Sequence, residues 1–161
     1  MPLNEPGRWS FFISHVQNEC GAEALAVATQ LGQADCWLDV NMADKSEKAM
    51  REGVENSEYF VLILSDDYLK RAFTLKEVRW CLELGKPIIS AYKRGTAVGS
   101  VLGTSPPDLR CLAAVDSVEV NRSNKEFFKV TVVGGRWCKL DPGLKAPPGF
   151  QTLVVKRMTV L

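Results

Sequence analysis

Short apolar runs alternate with stretches of helical periodicity along the first part of the chain. Trp9 to Ser14 (W-S-F-F-I-S) is short, apolar and aromatic, the pattern of a central strand. Asn18 can cap a following helix, in which Ala24, Leu25, Ala28 and Leu31 recur at helical spacing and Gly32 supplies a stop. Cys36-Trp37-Leu38 makes a second short strand that ends at Asp39. Val40 to Asp44 is then a loop, and Asp44-Lys45-Ser46-Glu47 reads as a capping box opening a helix to about Asn56. Tyr59 to Leu64 (Y-F-V-L-I-L) is apolar throughout, as a strand buried on both faces is. A third helix from about Leu75 to Leu84 buries Leu75, Val78, Cys81 and Leu82, and Gly85 ends it. Lys86-Pro87 leads into the strand Ile88 to Tyr92. Strands alternating with helices of this length imply βαβ crossovers, hence a parallel sheet covered on both faces.

Beyond Tyr92 the periodicity weakens. Lys93 to Pro107, rich in Gly, Ser, Thr and Pro, reads as a long surface loop. Leu109 to Ala114 fits one or two helical turns, and Val115 to Val120 an edge strand. Asn124 to Lys129 starts like a helix, Val130 to Gly135 looks like a strand entering a turn, and Thr152 to Leu161 is an apolar strand or a tail. The division expected is one domain over 9–134 and a C-terminal extension over 135–161.

Composition narrows the class of protein. At 161 residues, 46% hydrophobic and 24% charged, the chain is an ordinary soluble globule able to bury a core. Its net charge of +1 comes from 20 basic and 19 acidic residues, interspersed, so nothing indicates a nucleic-acid partner. The five cysteines form no C-x-x-C pair, which disfavours a disulfide framework or a zinc site and fits a reducing, cytoplasmic location. No apolar stretch approaches the length that spans a bilayer.

The chemistry concentrates in Ser65 to Glu77 (S-D-D-Y-L-K-R-A-F-T-L-K-E), between a buried strand and a helix. Glu77 is expected in the first turn of that helix, with Phe73 four residues before it, both at the carboxyl edge where parallel sheets place ligands. An acid and a ring there suit a sugar or a nucleotide. Thr74-Leu75-Lys76-Glu77 is also a capping box, and on the residues alone that role comes first. His15, the one histidine, follows the first strand on the same edge.

Several motifs then fall in one register. Phe12-Ile13-Ser14-His15, Trp37-Leu38-Asp39, Met50-x-x-Gly53-Val54-x-x-Ser57, Val61-Leu62-Ile63-Leu64-Ser65-x-x-Tyr68, Phe73-x-x-x-Glu77 and Gly85-Lys86-Pro87-Ile88-Ile89 follow the order of a TIR (Toll/interleukin-1 receptor) domain. The resemblance runs over about residues 9 to 92 and more thinly to about 120. It implies an α/β, flavodoxin-like three-layer fold, with a central parallel sheet of about five strands flanked by helices.

Some members of that family are scaffolds of innate immune signalling that assemble with other TIR domains. Others cleave the nicotinamide–ribose bond of NAD, giving nicotinamide and ADP-ribose or a cyclic isomer. Carried over, the resemblance makes Glu77 the catalytic residue and reverses its order with the capping role. Phe73, Ser14, His15, Asp39, Met42 and Ser65 become substrate-binding candidates. NAD+ would be substrate, no cofactor or metal being implied, and the chain lacks a G-x-G-x-x-G fingerprint. The departing nicotinamide is already cationic, so one carboxylate facing the ribosyl cation suffices.

The other reading is a non-catalytic adaptor acting through TIR–TIR contacts, with the loop Val40 to Asp44 and an exposed Met42 as the contact. A receiver domain needs an acidic pair after the first strand, where Ser14-His15-Val16-Gln17 stands instead. A nucleoside deoxyribosyltransferase, with a similar sheet and a glutamate, is third.

Overall fold

The computed structural model describes residues 3–115 and 117–120. The expected helix and strands at Asn124–Lys129, Val130–Gly135 and Thr152–Leu161, and the extension over 135–161, lie outside the described residues. Five strands, β1 (Trp9–Ser14), β2 (Cys36–Trp37), β3 (Ser57–Leu64), β4 (Ile88–Lys93) and β5 (Ser117–Val120), form one sheet in the order β2-β1-β3-β4-β5. Every pairing is parallel, with Phe12 level with Trp37 and Phe60, Val61 with Ile89, and Ala91 with Val118. That is the flavodoxin-like order, whose switch point lies between β1 and β3.

Alternation along each strand sorts the core into two layers. Phe11 and Ile13 of β1, with Val61 and Ile63 of β3, pack on α1 (Gln17–Leu31) through Ala24, Val27, Ala28 and Leu31. Phe12, Phe60, Leu62 and Leu64 turn to the opposite face. There α2 (Glu47–Glu55), α3 (Ala72–Glu83) and α4 (Val98–Gly103) cover them, with the 3-10 segment Pro107–Ala114. Phe12 stacks on Trp37 at 4.6 Å and on Phe60 at 5.5 Å between ring centres. Gly53 of α2 lies so close to the Trp37 ring that a Cβ there would come within 2.7 Å of it.

The strands expected within the described residues are present, and β3 begins two residues earlier, at Ser57. Helix starts differ. α1 begins at Gln17, ahead of Asn18, and Leu25 is exposed rather than buried. Ser46, not Asp44, caps α2, accepting from the Ala49 N–H at 3.2 Å, while Asp44 accepts from the Ser46 N–H at 2.8 Å. Gly32 does end α1, with φ of 100°. The stretch read as loop from Lys93 to Pro107 contains α4, where Val101 turns inward to the core.

Helix α3 carries the correction that matters most. It starts at Ala72, with Arg71 in the cap position and no side-chain cap. The Thr74 hydroxyl donates to the carbonyls of Tyr68 and Arg71 and caps nothing. Glu77 therefore lies in the second turn, beyond the reach of a capping box and of most of the helix dipole. Its neighbours at helical spacing, Thr74, Val78 and Cys81, form the buried stripe of α3, and Glu77 is part of that stripe.

Candidate active site

A cavity of about 480 Å3 opens at the carboxyl edge of β1 and β2, on the face covered by α2 and α3. Ile13 of β1 and Trp37 of β2 line it, with Lys45 from just before α2, Met50 from the first turn of α2, and Arg71, Phe73, Thr74 and Glu77 from the start of α3. His15, Val16, Gln17 and Asn18 close the side toward α1, with Asp39 beside them.

Glu77 is 7% exposed, and burial is the main reason its carboxyl is pushed up to about 8. The Asp39 carboxylate adds to the rise, and the Ser14 hydroxyl opposes it. Ser14 faces this layer because it stands two residues after Phe12 on β1. It lies fully buried behind Glu77, and its Oγ is 2.6 Å from the Tyr68 hydroxyl. Tyr68 is itself fully buried, and its phenol is held far above its ordinary value by burial and by the nearby Glu77.

The His15 side chain is 3% exposed, and its Nε2–H donates to Gln17 Oε1 at 2.7 Å. Nδ1 is buried without a hydrogen-bond partner among the described residues. Asp39 Oδ1 stands 3.8 Å from Nε2 and accepts the Val40 N–H at 2.8 Å. Phe73 is 57% exposed at the mouth, and the Lys76 ammonium sits 5.7 Å from its ring centre.

Of the candidates read from sequence, Glu77, Phe73, His15 and Asp39 converge on this cavity. Ser14 stands behind it. Met42 is not an exposed loop residue: it is buried, in the apolar layer that holds Phe12, Met50 and Val54, because Asp39–Asn41 winds into a 3-10 turn that draws it inward. Ser65 is also elsewhere. It is buried at the end of β3, donates to Glu19 Oε1 at 2.7 Å, and lines a second cavity of about 390 Å3 with Asp66, Lys93 and Arg94.

Two cations on the cavity wall, Lys45 and Arg71, escaped sequence reasoning. Arg71 sits two residues before Phe73 on the same segment, and that proximity was the available signal. No group of three or more His, Cys, Asp or Glu suited to a metal is found among the described residues. Nor is any helix among them long and apolar enough to cross a membrane.

A doubly wound sheet in this order, with a ligand-sized cavity at its carboxyl edge, defines an α/β protein of the flavodoxin-like class. Within that class the chain belongs to the TIR domain family, whose model matches residues 11–127. The fold is similar to that of a metazoan TIR-STING receptor from C. gigas, solved in complex with 2′,3′-cGAMP, with a TM-score of 0.56 at 13% identity. That alignment covers 80% of this chain and 41% of the receptor, so the chain spans about two fifths of the receptor's length. It is also similar to the TIR domains of the activated Roq1 resistosome that recognises the pathogen effector XopQ. There the TM-score is 0.51 at 12% identity, covering 95% of this chain and 85% of that one. Likeness at these identities is a likeness of fold. No curated protein matches the chain.

Proposed function

We propose that this TIR domain is an NAD+ nucleosidase, with Glu77 as the carboxylate that faces the ribosyl cation as nicotinamide leaves. One observation carries the reading: Glu77 is not a helix cap but a buried acid on the wall of an open cavity. A chain that only assembles gains nothing from a carboxyl placed where its charge is hardest to hold. Burial lowers the dielectric around Glu77, which strengthens the attraction between carboxylate and developing cation.

The bond between nicotinamide nitrogen and the ribose carbon breaks, and the pair of electrons leaves with nicotinamide, which becomes neutral. The oxocarbenium ion left behind is stabilised by Glu77 until water adds to it, losing a proton, to give ADP-ribose; attack by a group within the same molecule gives a cyclic isomer. Phe73 offers a ring face at the mouth. Lys45 and Arg71 supply positive charge for the diphosphate, and Asp39 and His15 lie within the same wall for ribose hydroxyls. With its carboxyl pushed up to about 8 by burial, Glu77 favours the protonated form at neutral pH. A cationic ligand favours the ionised form, so binding expels a proton.

Self-association with further copies or other TIR domains would complete the site, and activity should rise when the protein is clustered. The adaptor reading retains one favourable observation, the exposed Val40 beside the cavity. Nicotinamide release from NAD+ by clustered protein, wild type against Glu77→Gln, decides between them. Release that needs Glu77 supports the enzyme, and no release from either leaves the adaptor.

A further inference from the structure

The loop that leads into α2 brings Lys45 to the cavity, and a residue 40 positions before its Asp44 holds that loop in place. Asn4 is 6% exposed, and its side-chain amide grips the backbone of Asp44 twice. Its Nδ2–H donates to the Asp44 carbonyl at 3.0 Å, and its Oδ1 accepts the Asp44 N–H at 2.9 Å. The segment before β1 that carries Asn4 is itself tied to α2. The Leu3 N–H donates to Glu52 Oε1 at 2.7 Å, and the Trp9 N–H to the Asn56 carbonyl at 3.0 Å. We propose that Asn4 is a positioning residue, which holds Lys45 at the cavity wall to receive the diphosphate of a dinucleotide. The inference deepens the nucleosidase reading and rests on it for the identity of the anion.

The need for such a clamp follows from the residues it serves. Lys45 is exposed, and its long flexible stem is not placed by packing. It makes no ion pair among the described residues, whereas Arg71, the other cation lining the cavity, is shared with Asp67 at 3.4 Å. The position of Lys45 is therefore inherited from the backbone on either side of it. Before it, Asn4 fixes the N–H and the C=O of Asp44, and with them the peptide groups on both sides of that residue. After it, the Ser46 N–H donates to Asp44 Oδ1 at 2.8 Å, and Ser46 Oγ accepts the Ala49 N–H in the first turn of α2. An asparagine can act this way because one flat group carries both a donor and an acceptor, the pair a neighbouring strand would present. Being buried, the two bonds are not readily replaced by bonds to water. Without them, Ala43 to Ser46 would be held only by the buried Met42 at one end and the cap of α2 at the other.

The test uses Asn4→Ala, Lys45→Ala and the double variant, each checked for folding by melting and circular dichroism. Asn4→Asp, which keeps the size and the acceptor but loses the donor, is the milder fourth. Three readouts are taken: KM and kcat for nicotinamide release, calorimetric binding of ADP-ribose, and hydrogen exchange at the Asp44 amide. Asn4→Ala should raise KM and weaken ADP-ribose binding about threefold to tenfold, with kcat within about twofold of wild type. Its Asp44 amide should exchange at least about tenfold faster. Asn4→Asp should move all three the same way by a smaller step. Added to Lys45→Ala, Asn4→Ala should change KM and ADP-ribose affinity by less than about twofold, because the asparagine acts only through the lysine. An equal penalty with and without Lys45, a loss confined to kcat, or an Asp44 amide unmoved by Asn4→Ala would overturn the proposal. If the wild type binds ADP-ribose but releases no nicotinamide, the nucleosidase reading falls, and calorimetry with hydrogen exchange decides the clamp. A wild type that does neither overturns both.

Discussion

Two glutamates stand near the same carboxyl edge of the sheet, in opposite circumstances. Glu19, near the start of α1, accepts the Ser65 hydroxyl at 2.7 Å and the Asp67 N–H at 3.1 Å, and its own carbonyl accepts the Lys93 ammonium at 2.5 Å. The cavity beside it, about 390 Å3, is walled by as many acids as bases: Glu19 and Asp66 against Lys93 and Arg94. Glu77 sits in the larger cavity, where burial dominates and pushes its carboxyl to about 8. One acid ties loops together, and the other is held at a cost in stability. Stored free energy of that kind clusters at functional sites, which is why the cavity next to Glu77 rather than the one beside Glu19 carries the proposed chemistry.

The largest expected effect breaks the symmetry between them directly. Glu77→Gln should lower nicotinamide release by about 10²–10³-fold, whereas Glu19→Gln, which keeps an acceptor for Ser65 and Asp67, should stay within about threefold of wild type. Initial rates at saturating NAD+ measure both. Equal losses would mean that the acid near Ser65 belongs to the site after all.

The next effect is on stability. A carboxyl whose folded pKa is raised from 4.5 to about 8 binds its proton more tightly in the folded state. Its penalty is absent below about pH 4.5, grows through the interval, and is complete above about 8, where it amounts to a few kcal/mol. Glu77→Gln removes the penalty. It should therefore melt higher than wild type at pH 9, on the order of 5–10 °C, and no higher at pH 4.5. Thermal melts at the two pH values check this. A variant less stable than wild type at both would show that the carboxylate is better solvated than its burial suggests.

This contrast was half legible in the sequence. The strand β3 could be read from its unbroken apolar run and the helix α3 from its hydrophobic period, and Thr74, Glu77, Val78 and Cys81 already stand at the spacing of a buried stripe with an acid inside it. The capping-box pattern hid that, because Thr74-x-x-Glu77 satisfies a local rule that the structure does not use: α3 begins three residues earlier than expected, at Ala72. Ser65 was misplaced for a different reason. Ser14 ends β1 and Ser65 follows β3, but only pairing and side-chain direction decide that Ser14 faces the α3 layer while Ser65 meets Glu19 from α1. Met42 fell to tertiary packing, since a methionine among small polar residues gives no sign that its turn folds inward.

A smaller effect tests the lining of the larger cavity. A methyl at Gly53 would press on Trp37 Cδ1 and Nε1 at 2.7 Å, and the ring, stacked on Phe12, cannot retreat without disturbing the core. Gly53→Ala should cost about 1–3 kcal/mol and raise KM for NAD+, because Trp37 lines the cavity. Denaturant titration and kinetics on the same sample separate the two. Undisturbed stability would mean that α2 slides on the sheet more freely than its contacts imply.

The smallest effect concerns the rim. Phe73 is 57% exposed, so trimming it removes little from the core, and Phe73→Ala should leave stability within about 0.5 kcal/mol. A ring stacked on a flat ligand is worth about 0.5–1.5 kcal/mol, so KM should rise roughly threefold to tenfold while kcat falls less. Phe73→Trp, with a larger face, should move KM the other way. Lys93→Ala in the second cavity should show the reverse pairing: unchanged KM, because the lysine lies outside the cavity proposed for NAD+, and a lower melting temperature, because α1 loses its tie to the end of β4. Should Phe73→Ala and Lys93→Ala change KM alike, the substrate would have to reach across both cavities past Asn18, which lines each of them, and the division between a chemical and a structural cavity would have to be redrawn along that single residue.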